Sequence, residues 1–221
     1  MFTTLAVGLV ALTAFTADFE RQVIERDSPE TTSGIVYCQN SSKVTVEVTD
    51  PIKQTMTVEG KVMNIYYPQE QKAFRIKSEN EFPLPVVQGI ITALKGADEF
   101  AKNGYTLIRH EEKEEKTLYT YWEPPKKLRK LLGIVVLGIK KGRVVYTEAR
   151  TPEGEVISKI FYKDFIKLGS SWLPSNIYSE SYDSSSIAKE HIVYSNFKPH
   201  IPDRILNFSL PASIPVKEIK W

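Results

Sequence analysis

Imidazole titrates near neutral pH and is the commonest protein ligand for metals, so the three histidines, His110, His191 and His200, are where chemistry is first sought in this chain. They stand in unrelated segments, and none has a second histidine, a cysteine or a carboxylate at the helical metal-ligand spacing of a motif such as HExxH. Surface or structural roles are expected for all three. The single cysteine, Cys38, has no second thiol with which to form a disulfide, a redox pair or a metal site. It reads as a small buried apolar side chain. No nucleophile elbow, phosphate-cradling glycine loop or dinucleotide fingerprint occurs, because the glycines fall at turns between strand-like segments. The expectation is a protein that binds and does not catalyse, with no metal and no cofactor.

Charge narrows the partners. A formal net charge of +2 over 221 residues is too small to imply nucleic acid, and the base-stacking motifs of RNA binders are missing. The run HEEKEEK at 110–116 mixes signs where two strands need a turn, the pattern of a solvated hairpin end. The cluster KKLRK at 126–130, with Lys140, Lys141 and Arg143 on the next hairpin, is more one-sided. It reads as a solvated edge, with an anionic membrane or an acidic partner as the alternative. With 42% hydrophobic and 25% charged residues the chain is of ordinary globular composition, long enough for a packed core. No linker rich in Pro, Gly or Ser divides it, so one domain over residues 1–221 is expected.

The elements must supply any binding surface. In the stretch LTAFTADFERQVIER at 12–26, no Lys or Arg precedes Arg21, and cleavage after Ala17 would leave bulky Phe15 at minus three, which argues against the end of a signal peptide. Leu5, Leu9, Leu12, Phe15, Phe19 and Val23 step by 4, 3, 3, 4 and 4, which predicts one continuous amphipathic helix. After the loop ERDSPETTSG the period changes from 3.6 to 2. GIVYCQ, KVTVEVT, KQTMTVE, KVMNIYYP and KAFRIKS are short, alternating and separated by turn residues, which predicts an antiparallel meander. A mid-chain helix interrupts it: Pro85 suits a first helical turn, Val86, Val87, Ile90, Ile91 and Leu94 form an apolar stripe, and Gly96 is a C-cap. Asp98 starts a further short turn that Asn103-Gly104 ends. Strands then resume and continue to residue 200, giving roughly eleven strands and two principal helices, the size of one curved antiparallel sheet. The helices are the available cover for its concave face. A packed core and a ligand cavity require the same apolar inner face, and periodicity leaves both open.

These elements and the residues within them resemble the LolA family, the periplasmic carriers of outer-membrane lipoproteins. The resemblance spans nearly the whole chain. Phe15 and Phe19 followed by Arg21-Gln22 are similar to the family's first helix, Gly34 begins a strand as its first strand does, and Glu47 to Pro51 resembles its xxYxxP end. VEGKVMNIYYPQEQKAF is similar to its DGxxLWxYxPxxxQ hairpin, the most specific match. KKGRVVYTEARTPEGEVISKIFYKDF and LNFSLPASIPV resemble its closing strands. The departures are equally definite: the family's KRP is here Gln39, Asn40 and Ser41, its hairpin Trp is Asn64, and the Asp of its Asp-Gly turn is Glu59. The arginine that latches the helical lid in well-known members has no match at that position.

The resemblance implies a mainly β (α+β) fold, an unclosed antiparallel half-barrel whose N-terminal and mid-chain helices form a lid over a hydrophobic cavity. It implies binding of acylated lipoproteins or other lipids. Lipid-modified proteins would be carried across the periplasm from an inner-membrane ABC exporter to an outer-membrane acceptor, by a monomer whose signal peptide has been removed. A lipid- or lipoprotein-sensing regulator on the same superfold, RseB-like, is the alternative. For such a cavity the expected wall is Val36, Cys38, Val44, Val46, Val48, Met56, Val58, Met63, Ile65, Phe74 and Ile76. The expected lid is Leu9, Leu12, Phe15, Phe19, Val87, Ile90, Ile91 and Leu94.

Overall fold

The computed structural model describes residues 14–25, 28–40, 42–84, 86–183 and 186–220. Fourteen strands occur among them, all in one sheet. A first antiparallel meander runs through β1 (Phe15–Glu25), β2 (Ser28–Asn40), β3 (Lys43–Asp50), β4 (Gln54–Glu59), β5 (Val62–Tyr67) and β6 (Lys72–Lys77). The helix α1 (Gln88–Lys102) leads to a second: β7 (Thr106–Lys113), β8 (Thr117–Glu123), β9 (Val135–Lys140), β10 (Arg143–Arg150), β11 (Val156–Leu168), β12 (Ser171–Asp183) and β13 (Ser186–Lys198). β13 returns to pair with β1 and joins the two meanders. After α2 (Asp203–Leu206), β14 (Val216–Lys220) lies parallel to β6. β14 and β7 are the two ends of the strand order, so the half-barrel stays open.

Residues 15–25 correct the sequence reading, because they form a strand and not a helix. Phe15, Ala17 and Phe19 are buried and the residues between them are more exposed, a period of two. An interval of four residues, as between Phe15, Phe19 and Val23, fits a strand as well as a helix. Pairing decides between them, since β1 has a strand on each side to satisfy its backbone groups. The remainder of the expected helix, with Leu5, Leu9 and Leu12, lies outside the described residues. The roughly eleven strands expected rise to fourteen partly through β1 and partly through β14, whose sequence VKEIK is too charged to read as a strand. It is held at the sheet edge by Glu218, which pairs with Lys77 at 3.0 Å and Arg75 at 3.7 Å. Gly96 ends the first helical segment of α1, as the sequence predicts. It takes φ 48° and ψ −136°, a kink between two helical segments, and the second segment runs to Lys102 with Asn103 as its C-cap. Glycine adopts that conformation without the usual steric cost, and a Cβ there would stand 3.2 Å from Val144 Cγ2.

Between β13 and β14 the chain crosses the face of the sheet opposite α1. Ile201 and Ile205 are buried there against Tyr37, with Ala14 and Ile35 beside them. Arg204 fastens this strap: its Nη2 donates to Glu47 Oε2 at 2.9 Å and to Tyr37 Oη at 2.8 Å, and Tyr37 Oη donates to Glu47 Oε2 at 2.6 Å. The Arg204 hydrogen bond holds the Glu47 carboxyl below the usual carboxylate range; burial opposes it, and Tyr37 and the Arg204 charge assist. A depressed folded pKa means that Glu47 contributes stability above its unfolded value, about 4.3, and that the contribution is lost as pH falls through the folded value. Proteolysis within residues 203–215 is therefore expected to accelerate below about pH 4.3, tracked with an acid-active protease. Arg204→Ala should reproduce that sensitivity at neutral pH, and a strap equally resistant in both settings would contradict the clamp.

Candidate functional site

The register of the first meander aligns the expected wall residues in rows that cross the strands at right angles. One row is Phe15, Cys38, Val44, Val58, Met63 and Ile76, and the next is Ala17, Val36, Val46, Met56, Ile65 and Phe74. Phe19, Gly34 and Val48 begin a third. Directly paired residues share a face, so all of the named wall residues lie on one side of the sheet. Val36, Cys38, Val44, Val46, Val48 and Val58 are buried there, and Met56, Met63 and Ile76 pack beside them. Ile65 and Phe74 follow by register but stand outside the buried cluster. A close backbone approach helps to form this face: a Cβ on Gly34 would come within 2.0 Å of Glu47 O, which excludes any other residue from that point of β2.

The second meander supplies the rest of the concavity, which the sequence reading did not assign. Leu137, Val144, Tyr162, Leu173, Ile177, Ile192 and Tyr194 belong to the same cluster. Their signal is present in the sequence as alternation along β12 and β13. The opposite face of these strands also carries aromatic side chains, such as Phe161 and Tyr178, which are cross-strand neighbours. Alternation alone therefore does not say which face is inside.

α1 lies across this concave face. Val87, Ile90 and Ile91 are 0%, 0% and 3% exposed and join the cluster, with Leu94 partly buried beside them. The approach to the sheet is close, since a Cβ on Gly89 would stand 2.8 Å from Ile177 Cδ1. Phe15 and Phe19, expected on a lid, are instead part of the wall on β1. Leu9 and Leu12 lie outside the described residues. Along the outer margin of α1, a groove of about 340 Å³ runs between Gln88, Ile91, Lys95 and Glu99 on one side and Ser42, Gly60 and residues 81–84 on the other. Ile91 forms part of its floor.

The root of α1 is held by a residue that no sequence motif marked. Val86 has φ 65°, a conformation that costs a β-branched residue about 1–3 kcal/mol. The Tyr194 hydroxyl on β13 donates to Val86 O. Burial pushes the Tyr194 phenol upward, with Glu190 adding to the shift and Arg21 opposing it, so the hydroxyl stays protonated and able to donate. α1 has no side-chain N-cap of its own, so its entry depends on this bond and on Gln88 Oε1, which accepts from Leu84 N at 3.1 Å. Tyr194 thus ties β13 to the root of α1. Tyr194→Phe takes the donor from a part-buried carbonyl at a cost of about 1–3 kcal/mol. It should raise amide exchange in residues 88–94 by roughly 10-fold or more without altering β2. Unchanged exchange in α1 would contradict the latch.

The groups that suggested other chemistry are occupied structurally. Burial pushes the Cys38 thiol up to about 12, so it stays protonated and serves as apolar wall. His191 stacks on Tyr178 at 3.9 Å, and its Nε2 lies 3.1 Å from Asn176 Oδ1. His110 and His200 are exposed. Among the described residues no group of three His, Cys, Asp or Glu side chains is placed to hold a metal ion, and no helix is long and apolar enough to cross a membrane.

The sequence matches no protein-family model and no curated protein. The fold does have solved counterparts. A LolA superfamily protein from Nitrosomonas europaea superposes with a TM-score of 0.60 at 17% identity, covering 88% of this chain and 90% of that one. An outer membrane lipoprotein-sorting protein domain from Vibrio parahaemolyticus gives 0.59 at 10% identity, covering 88% and 89%. A DUF1329 family protein from Desulfovibrio piger gives 0.60 at 15% identity, covering 84% and 85%. The chain therefore shares its fold with these three proteins, at identities that speak for the fold alone.

Proposed function

We propose that this protein carries acyl chains on its concave face beneath α1, and that its cargo is a lipid-modified protein or a lipid moved through the periplasm. In its finer form the reading makes it a lipoprotein carrier that receives cargo from an inner-membrane ABC exporter and yields it to an outer-membrane acceptor. The observation that carries the proposal is the continuous apolar face of aligned Val, Met, Ile and Phe rows, covered by a single helix whose root is tied to the sheet by the Tyr194 hydrogen bond. Hiding an acyl chain from water contributes about 0.8 kcal/mol per CH₂. Branched side chains and the flexible thioethers of Met56 and Met63 suit a surface that exchanges its own packing for that of a chain. The lipoprotein-sorting name of the Vibrio counterpart agrees with this cargo class. In the structure described here α1 sits closed, so loading requires it to move aside, with the groove along Gln88, Ile91 and Lys95 as the entry margin.

The experiment is displacement of a hydrophobic fluorophore. The protein should bind the probe saturably at one class of site, and a palmitoylated peptide should displace it while the unacylated peptide does not. Failure of every acyl compound to compete would remove the carrier reading.

A further inference from the structure

The concave face is not apolar to its end. Beyond Phe19 the next inward position of β1 is Arg21, opposite Ile192, and the next inward position of β13 is Glu190, opposite Val23. Arg21 Nε donates to Glu190 Oε1, and Ser179 Oγ, inward-facing on β12, donates to Glu190 Oε2 at 3.1 Å. The side chains remain 40% and 30% exposed, so the pair borders solvent at the margin of the apolar cluster. It also adjoins the latch, since Ile192, which Arg21 lies opposite, and Glu190 stand two and four positions from Tyr194 on the same face of β13. Among the described residues Arg21 makes no other hydrogen bond or ion pair, so none of them takes its Nη1 or Nη2 donors. A half-exposed pair of this kind adds little to stability, and an isostere with apolar side chains would extend the wall.

We infer that Arg21 is the head-group anchor of the concave site, and that its ligand is an anionic amphiphile carrying a carboxylate or phosphate at the end of its acyl chain. The inference rests on the acyl-binding reading above and sharpens it to a charge class. Glu190 grips the guanidinium through Nε and fixes its orientation, while the planar fork of the Nη groups matches two oxygens of one oxyanion. Ser179 ties up the second oxygen of Glu190. A chain lying along Ile192, Ile177 and Phe19 then ends beside Arg21, and a neutral ester of the same length fills the apolar face but offers the guanidinium no charge.

The test compares palmitate, palmitoyl lysophosphatidic acid, methyl palmitate and inorganic phosphate as competitors for the fluorophore, each lipid below its aggregation threshold. Both anionic lipids should bind roughly 10- to 100-fold more tightly than the methyl ester, the range of one charge-assisted hydrogen-bonded contact. Arg21→Gln should bring the three lipids to similar affinities without weakening the ester, and Arg21→Lys should restore part of the preference. Glu190→Gln, which removes a competing negative charge and which a purely structural pair would not predict, should tighten palmitate severalfold. Equal wild-type affinity for acid and ester overturns the anchor and leaves acyl binding intact. Binding of no lipid at all overturns both readings. Displacement of palmitate by inorganic phosphate at similar concentration would make this a simple anion site and overturn the amphiphile assignment.

Discussion

Replacing Ile91 with glutamate is expected to weaken acyl binding strongly while leaving the sheet folded. Ile91 is 3% exposed within the concave cluster, and a carboxylate placed there without a partner costs several kcal/mol. A chain whose whole stability is about 5–15 kcal/mol has two ways to avoid that cost: it unfolds, or α1 leaves the concavity and gives the charge to water. The second route is open because α1 takes no part in any strand ladder. Its two ends also permit the motion. The strained Val86 precedes it, and Gly104, with φ 78°, follows it. Hydrogen exchange should therefore show the amides of β2 and β12 still protected and those of α1 exchanging freely, with fluorophore affinity down by roughly 10-fold or more. Global unfolding of the variant would make α1 an integral part of the core and not a lid.

The parts of this fold that can be read from sequence are those where local chemistry and tertiary context agree. The strands from β2 to β6 alternate cleanly and are punctuated by turn residues, and their parity puts Val36, Val46, Met56, Ile65 and Phe74 on one face before any register is known. β1 fails that reading because Phe15, Phe19 and Val23 recur at an interval shared by both periods, and because the strands on either side of it are the ones that settle its state. β14 is hidden by its charge: at an edge it pairs on one side only and needs no apolar alternation. Half of the concave face was missed for a different reason. Strands β10 to β13 carry large side chains on both faces, so the inner set, with Tyr162, Ile177 and Ile192, is identified only by the helix that covers it. The latch is furthest from view. Tyr194 and Val86 are 108 residues apart, and a hydroxyl bonded to a main-chain carbonyl leaves no residue-type signature at the accepting end. The same holds for Arg21, whose place on the inner face follows only once residues 15–25 are a strand.

Movement of α1 is the central requirement of carriage, and a cross-link tests it most directly. A Cβ at position 89 would lie 2.8, 3.4 and 3.9 Å from Ile177 Cδ1, Cγ2 and Cγ1, so Gly89→Cys combined with Ile177→Cys places two thiols within reach across the lid and removes the side chain that crowds position 89. The native Cys38 is 0% exposed and its thiol is protonated, which keeps it out of the exchange. Fluorophore displacement by palmitoylated peptide should be measured on the oxidised and reduced forms of the same double variant. If the acyl chain lies beneath a movable α1, the oxidised protein binds at least roughly 10-fold more weakly and recovers on reduction. Equal binding by the two forms would contradict it, because the chain would then reach its site without α1 moving.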